Sequence, residues 1–222
     1  MPKSIRSLVA YGDCNTVGVA ECRGNAYPER VAQALGCSVR NLGHTMSTTR
    51  ELLQYARTYP AQNFDLVIIQ YGLVDSWLTF RHAPYVLYYP DNPLRRVLRK
   101  VVKKLKKIGR TLKLKKILGS AHVVPLAEYR QNIERVITQT FDKTVILLST
   151  APNLDEPRNP HILSFNQEME RLATQYPHVV YVDTYKRIYD ARYEVFHQDG
   201  THLNAAGQLI VADMILQALH AR

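Results

Sequence analysis

The chain has 222 residues, a formal net charge of +10 at pH 7, and hydrophobic and charged fractions of 46% and 22%. These fractions are those of a globular protein, so they exclude a disordered chain, a collagen and a coiled coil, and the length suits one domain. No apolar run reaches the roughly 20 residues that span a bilayer. The N-terminus lacks the apolar core of a secretory signal, and the three cysteines have no C-x-x-C spacing. We therefore expect a cytoplasmic protein with reduced thiols and without a metal or other cofactor.

The basic charge belongs to one segment of the chain. Residues 95–116 contain 12 of the 29 lysines and arginines, and no acidic residue lies between Asp91 and Glu128. The rest of the chain holds 17 basic and 19 acidic residues and is nearly neutral. The net charge is therefore a property of one surface feature and not of the whole protein.

Predicted strands and helices alternate along the chain. Short apolar runs predict strands at residues 7–11, 38–42, 65–71, 144–150 and 179–183. Helix-starting residues and apolar spacing predict helices at 28–35, 47–59 with Ser47 as the cap, 125–140, 163–176 and 205–220. This alternation predicts an α/β fold in which helices cover both faces of a five-stranded parallel sheet. Residues 1–222 form one domain in this interpretation, with one helical excursion at about residues 78–122.

The excursion contains a basic amphipathic helix. Its apolar residues follow one another at helical steps of three and four and share one face; they are Leu94, Val97, Leu98, Val101, Leu105, Ile108 and Leu112. One interpretation is a charged surface helix that packs on the domain through this stripe. The other is an amphipathic helix, at residues 94–118, that lies on an anionic membrane surface at the inner membrane face. No aromatic residues are interleaved for base stacking, so we do not expect a nucleic-acid partner.

Residues with chemical potential follow the predicted strands. In parallel α/β sheets, ligands bind beyond the carboxyl ends of the strands. Strand one is followed by Gly12-Asp13-Cys14, and strand three by a segment that ends at Asp75. Asp199 and His202 lie at a spacing of i, i+3 in the loop before the closing helix, where the carboxylate can hold one ring nitrogen. We expect the other nitrogen to face Cys14 and to lower the pKa of its thiol toward neutrality.

Four sequence blocks resemble those of the SGNH, or GDSL, hydrolase superfamily. Their counterparts in this chain are Gly12-Asp13-Cys14, Gly43, Gly72-Leu73-Val74-Asp75 and Asp199 with His202. The resemblance implies a flavodoxin-like three-layer fold with strand order 2-1-3-4-5, and ester or thioester chemistry at a catalytic triad. It also implies that the backbone N–H groups of Cys14 and Gly43 stabilise the oxyanion.

The chain departs from this family at two positions. Cysteine stands at position 14 where the family has serine, and Val74 replaces the asparagine that is the third oxyanion donor. Arg50 is our first candidate to replace that donor, with His44 and Asn15 as others. We also take His44 and Asp75 as candidate substrate contacts.

These observations predict an acyl-ester or acyl-thioester hydrolase, or an acyltransferase, with a Cys14–His202–Asp199 triad. The predicted substrate is a small-molecule or glycolipid acyl compound, in which the acyl group is linked to a lipid or a carbohydrate. The alternative is a catalytically silent relative that binds an acylated ligand or a membrane-associated partner.

Overall fold

Five parallel strands form the central sheet of the computed structural model, which describes residues 5–221. In chain order the strands are β1 (Ser7–Gly12), β2 (Ser38–Gly43), β3 (Leu66–Gln70), β4 (Leu78–Phe80), β5 (Ser120–His122), β6 (Thr144–Leu148) and β7 (Val179–Val182). The central sheet has the order β2-β1-β3-β6-β7, and β4 pairs with β5 in a separate antiparallel ribbon. The α/β class and the predicted strand order are therefore confirmed. Residues 1–4, part of the segment in which we expect no secretory signal, lie outside the described residues.

Helices cover both faces of the sheet. They are α1 (Cys14–Val17), α2 (Tyr27–Leu35), α3 (Thr49–Thr58), α4 (Pro93–Thr111), α5 (Leu114–Leu118), α6 (Leu126–Ile137), α7 (Asn159–Gln175), α8 (Tyr185–Asp190), α9 (Arg192–Val195) and α10 (Ala205–His220). Alternation along β1 divides the core: Val9 and Tyr11 pack with residues of α3, α6 and α7, whereas Leu8 and Ala10 pack with α2 and α10. The inner strands β1, β3 and β6 are buried on both faces, which explains their continuous apolar runs, whereas the edge strand β2 is more exposed.

The boundaries of α3 differ from the prediction in one physical detail. Thr48, and not Ser47, caps the helix, because Thr48 and Glu51 form a reciprocal capping box. The helix predicted at residues 94–118 is interrupted between α4 and α5, where Lys113 has a left-handed φ of +51°. The three short helices α1, α8 and α9 and the ribbon strands β4 and β5 were not predicted. Each is at most six residues long, too short for a periodic apolar pattern to identify.

The excursion begins and ends at the β4–β5 ribbon, in which Leu78 pairs with His122. The first interpretation expected helix α4 to pack on the domain through its apolar stripe. The structure contradicts this expectation. The seven stripe residues are 42–68% exposed, whereas Val102 and Lys106 are half-buried and Gly109 is buried. Within residues 5–221, no helix combines the length and the apolar composition that a membrane span requires.

Candidate active site

The candidate nucleophile lies where β1 leaves the sheet. Gly12 ends the strand at a position with no room for a side chain, because a Cβ would lie 1.8 Å from Thr16 Oγ1. The chain then turns at Asp13, which is the N-cap of α1, and Cys14 is the first residue of that helix. Cys14 is only 4% exposed. The turn therefore fixes the position of the thiol and largely shields it from water.

A buried carboxyl group lies beside the thiol. Asp13 Oδ1 accepts the Asn15 N–H at 2.9 Å, and Oδ2 accepts an N–H from Gln70 at 3.2 Å. Burial raises the pKa of Asp13 to about 6, although both hydrogen bonds act to lower it. Burial, and secondarily the charge of Asp13, raise the pKa of Cys14 well above its ordinary value. This direction is opposite to the lowered thiol pKa that the sequence analysis expected.

The candidate base and its orienting carboxylate are paired. Asp199 Oδ2 lies 2.6 Å from His202 Nδ1, and Oδ1 accepts the backbone N–H groups of Thr201 and His202 at 2.9 and 3.0 Å. Burial acts to raise the pKa of Asp199, but these hydrogen bonds outweigh it and lower the pKa to about 2. An ionised Asp199 accepts a hydrogen bond from the protonated Nδ1 of His202, which leaves His202 Nε2 as the free ring nitrogen.

Asn15 joins this loop to the nucleophile turn. Its side-chain oxygen accepts the Leu203 N–H at 2.8 Å, and its side-chain nitrogen donates to the Thr201 carbonyl at 3.3 Å. His202 lies between these two contacts. The Asn15 amide is thus a positioning group and is not free for an oxyanion. Within residues 5–221, no hydrogen bond joins Cys14 Sγ to the His202 ring.

The amide of Gly43 is already used in the structure. Its N–H donates to Asn41 Oδ1 at 2.9 Å, and the Asn41 side chain also donates to the Thr16 carbonyl at 2.7 Å. In this conformation the Gly43 N–H has an acceptor within the chain, and its expected oxyanion role stays a prediction. Glycine is required there for a different reason: a Cβ would lie 2.3 Å from Val17 N.

Arg50 is also engaged elsewhere. Its Nε and Nη2 donate to the two carboxylate oxygens of Glu128 at 2.6 and 2.7 Å, and its guanidinium lies over the Tyr85 ring. The hydrogen bonds that Arg50 donates to Glu128 raise the pKa of Arg50. The bidentate pair holds α3 to α6, so the structure does not support the expectation that Arg50 replaces the missing oxyanion donor.

Of the two candidate substrate contacts, Asp75 lies in the interior, whereas the role of His44 stays a prediction. Asp75 is fully buried, and its Oδ1 accepts the N–H and the hydroxyl of Thr49 at 2.9 and 2.7 Å at the start of α3. Burial raises the pKa of Asp75 to about 7 despite these bonds. His44 Nδ1 lies 2.8 Å from the carbonyl of its neighbour Thr45. Asp75 is therefore a structural group, and the ring contact of His44 is local.

A cavity of about 640 Å³ lies between helix α4 and the domain. Two of its lining residues come from the strand-end loops: Val74, and Met46, which has a left-handed φ of +66°. Trp77 also lines it, and the buried Nε1 of this residue has no hydrogen-bond partner. Lysines and arginines of α4 border an otherwise apolar wall. Met46 escaped the sequence interpretation because a non-glycine residue gives no signal of positive φ.

One group of potential metal ligands occurs within residues 5–221. Glu21, Cys22 and His197 each offer one ligand atom, and these atoms lie within 4.8 Å of one another. Their distance apart in the sequence hid this cluster from the spacing analysis. Cys22 is buried, but Glu21 is exposed, and three ligands leave any ion open to solvent.

Comparisons with known proteins agree on the fold. The model of the GDSL-like lipase/acylhydrolase family matches residues 10–210. A lipase/acylhydrolase from Enterococcus faecalis superposes with a TM-score of 0.68 at 17% identity, covering 98% of this chain and 97% of that one. Axe2, an acetylxylan esterase from Geobacillus stearothermophilus, gives 0.65 at 20% identity, covering 96% of this chain and 93% of that one. No curated protein matches the sequence.

Proposed function

Because this chain belongs to the GDSL-like lipase/acylhydrolase family, we propose that it is an acyl-ester hydrolase with Cys14 as nucleophile. His202 is the base and Asp199 orients it. The observation that carries the proposal is the 2.6 Å Asp199–His202 contact, in a loop that Asn15 holds against the Cys14 turn. Catalytic mutants of the acetylxylan esterase replace a serine, an aspartate and a histidine, and the last two are three residues apart, as Asp199 and His202 are.

The chemistry proceeds through a thioester on the enzyme. His202 Nε2 takes the thiol proton as Cys14 Sγ attacks the acyl carbon, and the same proton then goes to the departing alcohol. Water then attacks the thioester carbon while His202 Nε2 takes a proton from the water. The same proton passes to Cys14 Sγ as the carboxylic acid leaves, which restores the thiol. An alcohol or amine in place of water makes the reaction an acyl transfer. In this proposal, proton transfer to His202 accompanies the attack, in keeping with the raised pKa of Cys14.

The oxyanion needs donors at this site. We assign the Cys14 N–H and the Met46 N–H to this role, since Met46 borders the cavity beside Val74. Within the described residues, no hydrogen bond uses the Met46 N–H. Val74 supplies no side-chain donor, and the lack of one such donor costs roughly 10²–10³ in rate. We therefore expect slow turnover of unactivated esters.

The cavity beneath α4 favours a substrate with an apolar acyl chain. Its volume of about 640 Å³ lies within the range of sites that enclose drug-sized ligands. The lysines and arginines at its border are complementary to an anionic group on the part of the substrate that carries the acyl chain. The Trp77 Nε1–H has no acceptor in the structure and can donate to a substrate oxygen. Among the lipid-linked and carbohydrate-linked acyl compounds considered, these walls favour the lipid-linked ones.

Hydrolysis of p-nitrophenyl acetate, octanoate and dodecanoate tests the proposal. We expect the longer esters to have the higher kcat/KM, and Cys14→Ala to reduce turnover at least about 10³-fold. Cys37→Ala, a change at the partly exposed thiol, is the matched control and should leave turnover unchanged. Cys14→Ser should keep or increase ester hydrolysis, because water competes well for an oxygen ester. Equal turnover by the wild type and Cys14→Ala would remove Cys14 from the mechanism.

A silent binding protein is the second candidate function. It is favoured by the raised pKa of Cys14 and by the lack of a hydrogen bond between its thiol and His202. In that case neither esters nor acyl thioesters are turned over, while dodecanoate binds with the same affinity to the wild type and Cys14→Ala. Turnover that depends on both Cys14 and His202 excludes this candidate.

A further inference from the structure

Helices α4 and α5 expose more apolar surface than a solvated helix pair requires. The seven stripe residues of α4 are 42–68% exposed, and Ile117 and Leu118 of α5 are 72% and 46% exposed. On the side of α4 that contacts the domain, Val102 and Lys106 are half-buried and Gly109 is buried. Arg99 lies over the Tyr88 ring, and Gly109 lies so close to Phe80 that a Cβ there would be 2.8 Å from the ring. The apolar stripe is thus left without a partner inside the chain.

The charge around the stripe has a single sign. The cations of residues 95–116 include Lys100, Lys103, Lys104 and Lys107, all of which are exposed on α4. No acidic residue occurs from 92 to 127 to neutralise them. We call the seven stripe residues and these four lysines the α4 surface. An apolar stripe flanked by cations is complementary to the headgroups and the acyl boundary of an anionic bilayer.

We propose that the α4 surface docks on an anionic lipid membrane, with α4 lying in the plane of the interface. A second copy of the chain would bring two sets of like charges together, and a nucleic acid would leave the apolar stripe in water. An anionic lipid surface satisfies both parts. The proposal goes beyond the proposed reaction and does not rest on it, because docking requires no catalytic group.

Vesicle flotation measures the docking directly. We expect the intact protein to bind vesicles of phosphatidylglycerol and phosphatidylcholine at low salt, and to bind pure phosphatidylcholine at least about tenfold more weakly. Raising the ionic strength from about 0.05 M to about 0.5 M should weaken binding to the anionic vesicles at least about tenfold, because shorter Debye lengths screen the lysines. Equal binding to both vesicle types, or to neither, would overturn the proposal.

Two pairs of variants with matched controls separate charge from apolar contact. Lys100→Glu with Lys104→Glu should weaken anionic binding at least about tenfold, whereas Arg57→Glu with Arg135→Glu makes the same charge change on exposed residues of α3 and α6. The second pair should have little effect.

Leu98→Ser with Leu105→Ser should also weaken binding, by about tenfold. Leu163→Ser with Leu209→Ser, at leucines of similar exposure on α7 and α10, should not. Equal effects of test and control variants would overturn the assignment to α4. If vesicles are not bound, two results would overturn the docking proposal in favour of another partner. One is binding of RNA, and the other is a concentration-dependent dimer that Leu98→Ser with Leu105→Ser abolishes. Ester turnover is not a readout here, so its loss and the loss of docking are distinguishable.

Discussion

The nucleophile turn, residues 12–17, and the excursion, residues 78–122, differ in which groups they bury. The turn buries polar groups completely: Asp13 and Thr16 have no exposed surface, and each makes side-chain hydrogen bonds. The excursion exposes apolar groups, with Leu94 and Leu112 of α4 at 68% and 58%. Buried polar groups that are satisfied specify one geometry, because every shift breaks a hydrogen bond. The turn is therefore determined by the chain itself, whereas the excursion has a surface that an external partner can complete.

The largest expected effect is a difference in stability between two glycine-to-alanine variants, one beside the nucleophile turn and one in the excursion. In Gly43→Ala, beside the nucleophile turn, the new Cβ meets backbone at Val17 N and the side chain of Thr16, so we expect a loss of about 3 kcal/mol in the free energy of unfolding. In Gly109→Ala, on α4, the Cβ meets only side chains that can move, the Phe80 ring at 2.8 Å and Leu114 Cδ1 at 3.2 Å, and alanine favours the helix. The net change should stay within about 1 kcal/mol. Urea unfolding compares the two, and equal losses would contradict the contrast.

Asp75→Asn should change how stability depends on pH. The pKa of Asp75 is about 7 in the folded chain and about 4 when unfolded, so the folded state holds more protons between these values. Stability is therefore lost as pH rises from about 4 to about 7. The variant lacks this titration and should lose about 2 kcal/mol less than the wild type between pH 5 and pH 8. Asp213→Asn, at an exposed residue of α10, is the control, and parallel pH profiles for wild type and Asp75→Asn would refute the assignment.

Alkylation rates distinguish a buried thiol from an activated one. Because the pKa of Cys14 is raised and the residue is buried, iodoacetamide at pH 7 should modify the partly exposed Cys37 at least about tenfold faster. Labelling of Cys14 should increase with pH up to its raised pKa, and His202→Ala should change it little. Peptide mass mapping follows both sites. Preferential labelling of Cys14 at pH 6 that His202→Ala abolishes would instead reveal a thiolate–imidazolium pair.

Arg50→Ala should have the smallest effect. It breaks a partly exposed ion pair with Glu128, so we expect a loss of about 1 kcal/mol in stability. Ester turnover should stay within about threefold of the wild type, whereas loss of an oxyanion donor costs roughly 10²–10³. A drop of that size in kcat, at unchanged stability, would return Arg50 to the oxyanion site. Glu128→Gln should behave as Arg50→Ala does.

The sheet and one half of the site were predictable from the sequence. Continuous apolar runs mark parallel strands that are buried on both faces, and β3 is the clearest of them. The spacing of Asp199 and His202 forces their side chains close together in a turn, so the contact between them followed from local geometry.

The rest depends on choices among competing hydrogen bonds and contacts. The sequence shows that Gly43 has an N–H, but not that Asn41 accepts it, since that depends on the local path of β2. Asp75 could face ligand or core, and burial against Thr49 decided it. An amphipathic pattern likewise identifies the stripe of α4 without saying which face contacts the domain. These features are decided by packing between distant segments.

The contacts of Asn15 join two segments of the candidate site that are synthesised at different times. Its partners Thr201 and Leu203 lie 186 and 188 positions later, and Gln208 donates to the Asn15 carbonyl. At roughly 5–20 residues per second, a ribosome adds Cys14 to the chain at least about 9 s before it adds His202. A nascent or stalled chain that ends before residue 199 can form the first strands of the sheet, yet it carries no Asp199 and no His202. The proposed reaction therefore requires that synthesis has passed this loop.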